Sequence, residues 1–188
     1  MIKRLLPTEA LIFVALMWVI YLVDLLLPGF SFNGLGIQPR TFAGLSGIFF
    51  APFLHGGLFH LVSNTLPLLV LAAILRLSIG AGLMVGVMFW SAMGSGIGVW
   101  LFGFGGIVVG ASGMVFGLIG FLFANAYFNP SLRSWLCAGI SFVLYSGTLL
   151  SLLRLLPHIS WAAHFWGFVA GMMLAALFRK QEKQSAST

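Results

Sequence analysis

The sequence predicts an all-α membrane protein, a bundle of six transmembrane helices with a membrane-embedded first loop. Two observations carry this. The 188 residues are 61% hydrophobic and only 6% charged, whereas soluble domains carry roughly 25% charged residues. The apolar residues also fall into runs near the ~20 residues a helix needs to cross the hydrocarbon core.

Taken in order, the predicted spans cover about 9–27, 55–75, 79–101, 111–128, 134–154 and 160–178. Met1-Ile2-Lys3-Arg4 resembles a signal n-region. The apolar run behind it is too long for a cleaved signal, and no small-x-small site follows, so it is expected to be a retained first helix. Pro28–Phe53 is glycine-rich and broken by Pro39 and Pro52, which predicts a structured loop in or on the membrane interface. Gly103-Phe104-Gly105-Gly106 precedes the short fourth span. Such backbone enters a membrane only where protein or a wet cavity satisfies its amides. The expected organisation is a cytoplasmic N-terminus (1–8), a membrane domain (9–178) and a polar cytoplasmic tail (179–188).

Nine Lys/Arg against three acids give a formal charge of +6. Because the basic residues lie at segment ends, the charge points to membrane topology and not to nucleic acid. With both termini cytoplasmic, Lys3, Arg4, Arg76, Arg133, Arg179, Lys180 and Lys183 are inside, and only Arg40 and Arg154 outside. Cys137 is the single cysteine, so there is neither an intrachain disulfide nor a cysteine-based metal site.

This topology starts spans two, four and six at the outer face. His55, His60 and Asn64 then lie in the first turns of span two, Ser112 opens span four, and His164 lies one turn into span six. Intramembrane polar groups are costly and are functional candidates by default. Glycines on both sides of Ser112 allow a sharp turn and an accessible hydroxyl. The free N–H groups and positive dipole end of a helix start can hold a developing oxyanion. The structural alternative is a small packing residue, favoured by Gly113, Gly117 and Gly120 on the same helix.

His164 can serve as a general base for Ser112. Its structural alternative is an imidazole bonded to a backbone carbonyl or to Tyr145. His164, Gly167 and Gly171 share a face, which makes spans four and six expected packing partners. Glu9, Asp24 and Glu182 are badly placed to complete a triad, which leaves a Ser-His dyad. His60 and Asn64, four residues apart, share a helix face and can donate toward one point. Metal ligation by His55, His60 and His164 is the rival chemistry, opposed by the lack of an accompanying carboxylate or thiolate. His158, after Pro157, is expected to be a solvated interfacial residue.

Three segments together resemble the rhomboid family of intramembrane serine proteases: His55-Gly56-Gly57-Leu58-Phe59-His60-Leu61-Val62-Ser63-Asn64, Gly110-Ala111-Ser112-Gly113, and Ala163-His164-Phe165-Trp166-Gly167 with Gly171. The resemblance implies that Ser112 is the nucleophile and His164 its base. It also implies an oxyanion hole of His60, Asn64 and the Ser112 N–H. Span four would start deep in a water-filled cavity open to the outer face, and span five would border a lateral gate. Substrates would be single-span membrane proteins cut near a membrane boundary, with membrane lipid as the surroundings and no cofactor. The compact form suggests the minimal bacterial type in the cytoplasmic membrane.

Two departures stand out. Phe116 occupies the position four after the nucleophile where the family often has Tyr. Ser46 and Gly47 stand where it often has a Trp-Arg pair, leaving Arg40 as the only nearby base. The other functional classes are an inert rhomboid-like chaperone or binding protein, expected to lose Ser112 or His164, and a transporter or channel. A transporter needs polar groups through the inner halves of the spans, which carry almost none.

Overall fold

A computed structural model describes residues 6–27, 29–150 and 160–185. Its elements in chain order are α1 (Thr8–Leu26), α2 (Gly47–Phe50), α3 (Leu58–Ile79), α4 (Ala81–Phe102), α5 (Ser112–Phe128), α6 (Leu132–Leu149) and α7 (Trp161–Ser185). Short 3₁₀ turns at Phe32–Leu35, Ala43–Leu45 and Ala51–Phe53 flank α2 in the first loop. One long helix occupies each of the six predicted apolar stretches. α1, α3, α4 and α7 are each long and apolar enough to cross a bilayer, and α5 is shorter at 17 residues. Arg154 and His158 lie outside the described residues. α7 continues through Ser185, so the first polar residues of the predicted tail extend the last helix.

α5 is the centre of the bundle. Every residue from Gly113 to Leu122 is buried, because α3, α4, α6 and α7 all pack on it. A helix apolar on all sides belongs in such a position. Its closest partner is α7, as the two glycine faces predict. A Cβ added at Gly167 would collide with the Gly113 carbonyl, one at Gly171 with the Gly117 carbonyl, and one at Gly120 with the Phe168 carbonyl. The two backbones therefore touch directly, which is how membrane helices gain packing without a hydrophobic driving force. Ser91 and Ser95 of α4 fill the space beside Gly117 and Gly113, joining the third helix to this block.

The other helices attach more lightly. α1 buries one narrow stripe, Ala10, Val14 and Met17. It is fixed further by the Trp18 Nε1 bond to Thr65 Oγ1 (3.0 Å) and the Glu9–Arg76 ion pair. Gly80, at φ +87°, makes the tight turn from α3 into α4, a conformation favoured only for glycine.

The first loop is ordered by specific bonds. Asp24, at the end of α1, accepts from Phe32 N (2.6 Å) and Ser31 Oγ (3.0 Å). Ile37 and Val108 exchange both backbone bonds at 2.9 Å, pairing the first loop with the glycine-rich loop ahead of α5.

Candidate active site

Ser112 is the first residue of α5 and is half-buried. Gly110, two residues earlier, stands at φ +118°, where a side chain is strained. A Cβ there would also lie 2.6 Å from His60 Nε2. The backbone angle favours glycine here, and the turn into Ser112 passes directly beside the His60 ring. The Gly110 N–H donates to the Ala51 carbonyl at 2.9 Å, tying this turn to the first loop.

His164 lies in the first turn of α7. Ser160 opens that helix, its Oγ accepting from Ala163 N at 3.3 Å. The imidazole is 7% exposed. It stacks on the Phe116 ring with centroids 4.1 Å apart and an 18° interplanar angle. Phe116, one turn after Ser112, is itself 1% exposed, so the α5 ring fixes the plane of the α7 imidazole. Ser95 Oγ donates to the Ala163 carbonyl at 2.9 Å, holding the residue before His164 against α4.

α3 supplies the third wall. His60 and Asn64 stand one turn apart, with Asn64 Nδ2 donating to the His60 carbonyl at 2.9 Å. An amide NH₂ carries two hydrogens, so this bond leaves one for another acceptor. Pro67 follows on the same wall and has no N–H for the carbonyl four residues back.

These side chains surround one cavity of about 1110 Å³. Ser112, His164, His60, Asn64 and Phe116 all line it, with the loop Phe104–Val109 above and Thr148 of α6 at one side. The four residues nominated from the sequence thus meet around one space, although they come from three helices. His55 does not line it. It is buried behind His60, ring against ring at 5.0 Å. Among the described residues, no three His, Cys, Asp or Glu side chains gather where a metal could be held.

None of the cavity-lining residues is acidic. Glu9 pairs with Arg76 and Asp24 caps the first loop, so these two acids are engaged elsewhere.

The Rhomboid domain family matches residues 42–181. The chain belongs to the rhomboid family. It is similar to an uncharacterized protein of Mycobacterium tuberculosis (strain ATCC 25618 / H37Rv), 33% identical over 188 residues, covering 95% of this chain and 77% of that one. An uncharacterized protein of Mycobacterium leprae (strain TN) is 33% identical over 186 residues, 93% of this chain and 72% of its own length. RHOMBOID-like protein 1 of Arabidopsis thaliana is 30% identical over 132 residues, 70% and 34% of the two chains. Family and helices together make this rhomboid protein an integral membrane protein.

Ser95 and the contacts of Arg40 carry no local signal in the sequence. Ser95 sits in an apolar helix with no motif around it. Arg40 Nη1 donates to the Leu101 and Gly103 carbonyls, contacts between segments some sixty residues apart that no local pattern signals.

Proposed function

We propose that this rhomboid protein is an intramembrane serine endopeptidase that cleaves single-span transmembrane proteins near the outer membrane boundary. The observation that carries the proposal is the common cavity: Ser112 at the head of α5 and His164 stacked on Phe116 both line it, opposite His60 and Asn64. Ser112 Oγ attacks the scissile carbonyl while His164 takes its proton. The oxyanion forms at the N-terminus of α5, where the Ser112 N–H, His60 and Asn64 supply donors to the developing charge. His164 then returns the proton to the leaving amine. Water attacks the acyl-enzyme by the same route in reverse. The Phe116 ring stacked on the imidazole restrains its plane, and in this proposal no carboxylate takes part.

In this proposal the chain crosses the membrane six times within 9–178, and residues 1–8 and 179–188 are cytoplasmic. The cavity then faces outward from a bacterial cytoplasmic membrane, bathed by lipid. The cysteine-accessibility test of this arrangement places labels at Gly34 and Thr188. A reactive Gly34 position outside and Thr188 inside is expected, and an external C-terminus would overturn the topology.

The test of the chemistry is covalent labelling. A fluorophosphonate added to the detergent-solubilised protein should modify Ser112. A folded protein that neither labels nor cleaves a panel of model transmembrane substrates would point instead to an inert rhomboid-like chaperone.

A further inference from the structure

Arg40 holds more of this fold together than its exposed position suggests. It stands at φ +56°, the only non-glycine residue at positive φ among those described. A helix leaves its last four carbonyls without intrahelical partners, and at membrane depth that deficit must be met by protein. At the end of α4, Val99 O accepts from Gly103 N at 2.7 Å, and Trp100 O accepts from Arg40 N at 3.0 Å. Arg40 Nη1 donates to Leu101 O at 3.3 Å and to Gly103 O at 2.8 Å. The guanidinium also lies over the Phe104 ring, 5.5 Å from its centroid. In return, Trp100 Nε1 donates to Thr41 O at 2.8 Å. One residue thus caps the helix, supplies a cation at its negative dipole end, and grips the first residues of the glycine loop. The left-handed backbone lets both the N–H and the side chain of Arg40 reach the same helix end.

The gripped loop is the roof of the site: Phe104–Val109 line the cavity above Ser112. Ser112 and His164 are held separately by the α5–α7 backbone contacts. We propose that Arg40 is a positioning residue for the proteolytic reaction. It clamps the start of the glycine loop to the first loop and so fixes where the roof stands over Ser112 when a substrate chain occupies the cavity. This rests on the protease proposal above.

Asn tolerates positive φ but cannot reach the α4 carbonyls, so Arg40→Asn removes the clamp and spares the turn. Arg40→Lys keeps the charge and one donor site without the planar fork. Each variant and the wild type are reconstituted in phosphatidylethanolamine/phosphatidylglycerol vesicles with a model single-span substrate. Cleavage kinetics, the cut position by mass spectrometry, the rate of fluorophosphonate labelling and thermal melting are measured. We expect Arg40→Asn to lower kcat/KM by at least roughly tenfold and to spread cleavage over neighbouring bonds. Its labelling rate should stay within about twofold of wild type, and Arg40→Lys should recover part of the loss. Wild-type cleavage at a single position by Arg40→Asn overturns the proposal. So does a parallel fall of labelling, cleavage and melting temperature, which would make Arg40 a general support of the fold. Failure of the protease proposal shows differently, as a wild-type protein that neither labels nor cleaves.

Discussion

α7 and α6 both flank α5, and they do so in opposite ways. α7 presses glycine against backbone: Gly167 and Gly171 have no room for even a methyl group. α6 touches α5 and α3 through ordinary side chains, Phe142 against Phe123 among them, and turns Val143 and Leu144 outward. Gly139 and Gly147 of α6 have nothing within 4 Å of a built Cβ. α6 also breaks helical geometry at Tyr145 (φ −124°, ψ 15°), just before Thr148 reaches the cavity. The same residue type therefore welds one helix and merely occurs on the other. The difference fits a division of labour. Under the protease proposal, Ser112 and His164 need fixed geometry, since small misplacements cost large factors in rate, and they sit on the welded pair. On the same proposal α6 is the wall a substrate passes, and it can be looser.

The most severe break of this comparison removes the chemistry and leaves the weld. Ser112→Ala deletes the proposed nucleophile, and His164→Ala leaves a hydroxyl too weakly acidic to attack unaided. Cleavage of a model substrate should fall below detection in each. The double variant should be no worse than the worse single, because groups acting as a unit are strongly non-additive. Melting in detergent should change little for Ser112→Ala, which is nearly isosteric. Robust cleavage by folded Ser112→Ala protein would falsify the serine mechanism.

Next in size is the α3 wall. His60→Ala or Asn64→Ala should lower kcat more than KM, since oxyanion donors act on charge that develops in the transition state. A single donor can be worth ~10²–10³ in rate, though redundancy with the Ser112 N–H shrinks each effect. If the double replacement keeps wild-type kcat with the fold intact, these residues leave the mechanism.

The weld itself is tested by a matched pair. Gly171→Val must push α7 off the Gly117 carbonyl, and overpacking of this kind costs ~1–3 kcal/mol or more. Gly139→Val adds the same atoms to α6 in open space and should stay within about 0.5 kcal/mol. Thermal melting of both variants decides the matter; equal shifts would erase the distinction between the two helices.

Much of this architecture was legible because glycine and polar residues are informative against an apolar background. The Ser112 and His164 motifs each came with glycines at helical spacing, so both the side chains and the α5–α7 pairing could be read. His60 and Asn64 were legible from their one-turn spacing. His55 was not: its neighbourhood in sequence suggested the same depth, but it folds behind His60 instead of reaching the cavity. Asp24 looked merely misplaced, whereas it caps the first loop through backbone and hydroxyl bonds. Arg40 was visible only as an isolated base, because its partners are carbonyls, which carry no sequence signature. Ser95 failed for a related reason, since its partner is the Ala163 carbonyl.

The smallest expected effect concerns Phe116, where α5 touches α7 through a side chain. Its ring stacks on the imidazole, at a position where the family often carries tyrosine. If the stack alone orients His164, a phenol is dispensable. Phe116→Tyr should then cleave at nearly the wild-type rate, provided the added hydroxyl reaches the cavity that Phe116 lines. Phe116→Leu keeps an apolar side chain but loses the face-on contact. Aromatic stacking is worth about 0.5–1.5 kcal/mol, so kcat should drop by roughly two- to tenfold. The measurement is kcat for both variants with melting temperature as control. A Phe116→Leu protein that melts normally and cleaves at the wild-type rate would show that the α5–α7 glycine contacts position His164 without help from the ring.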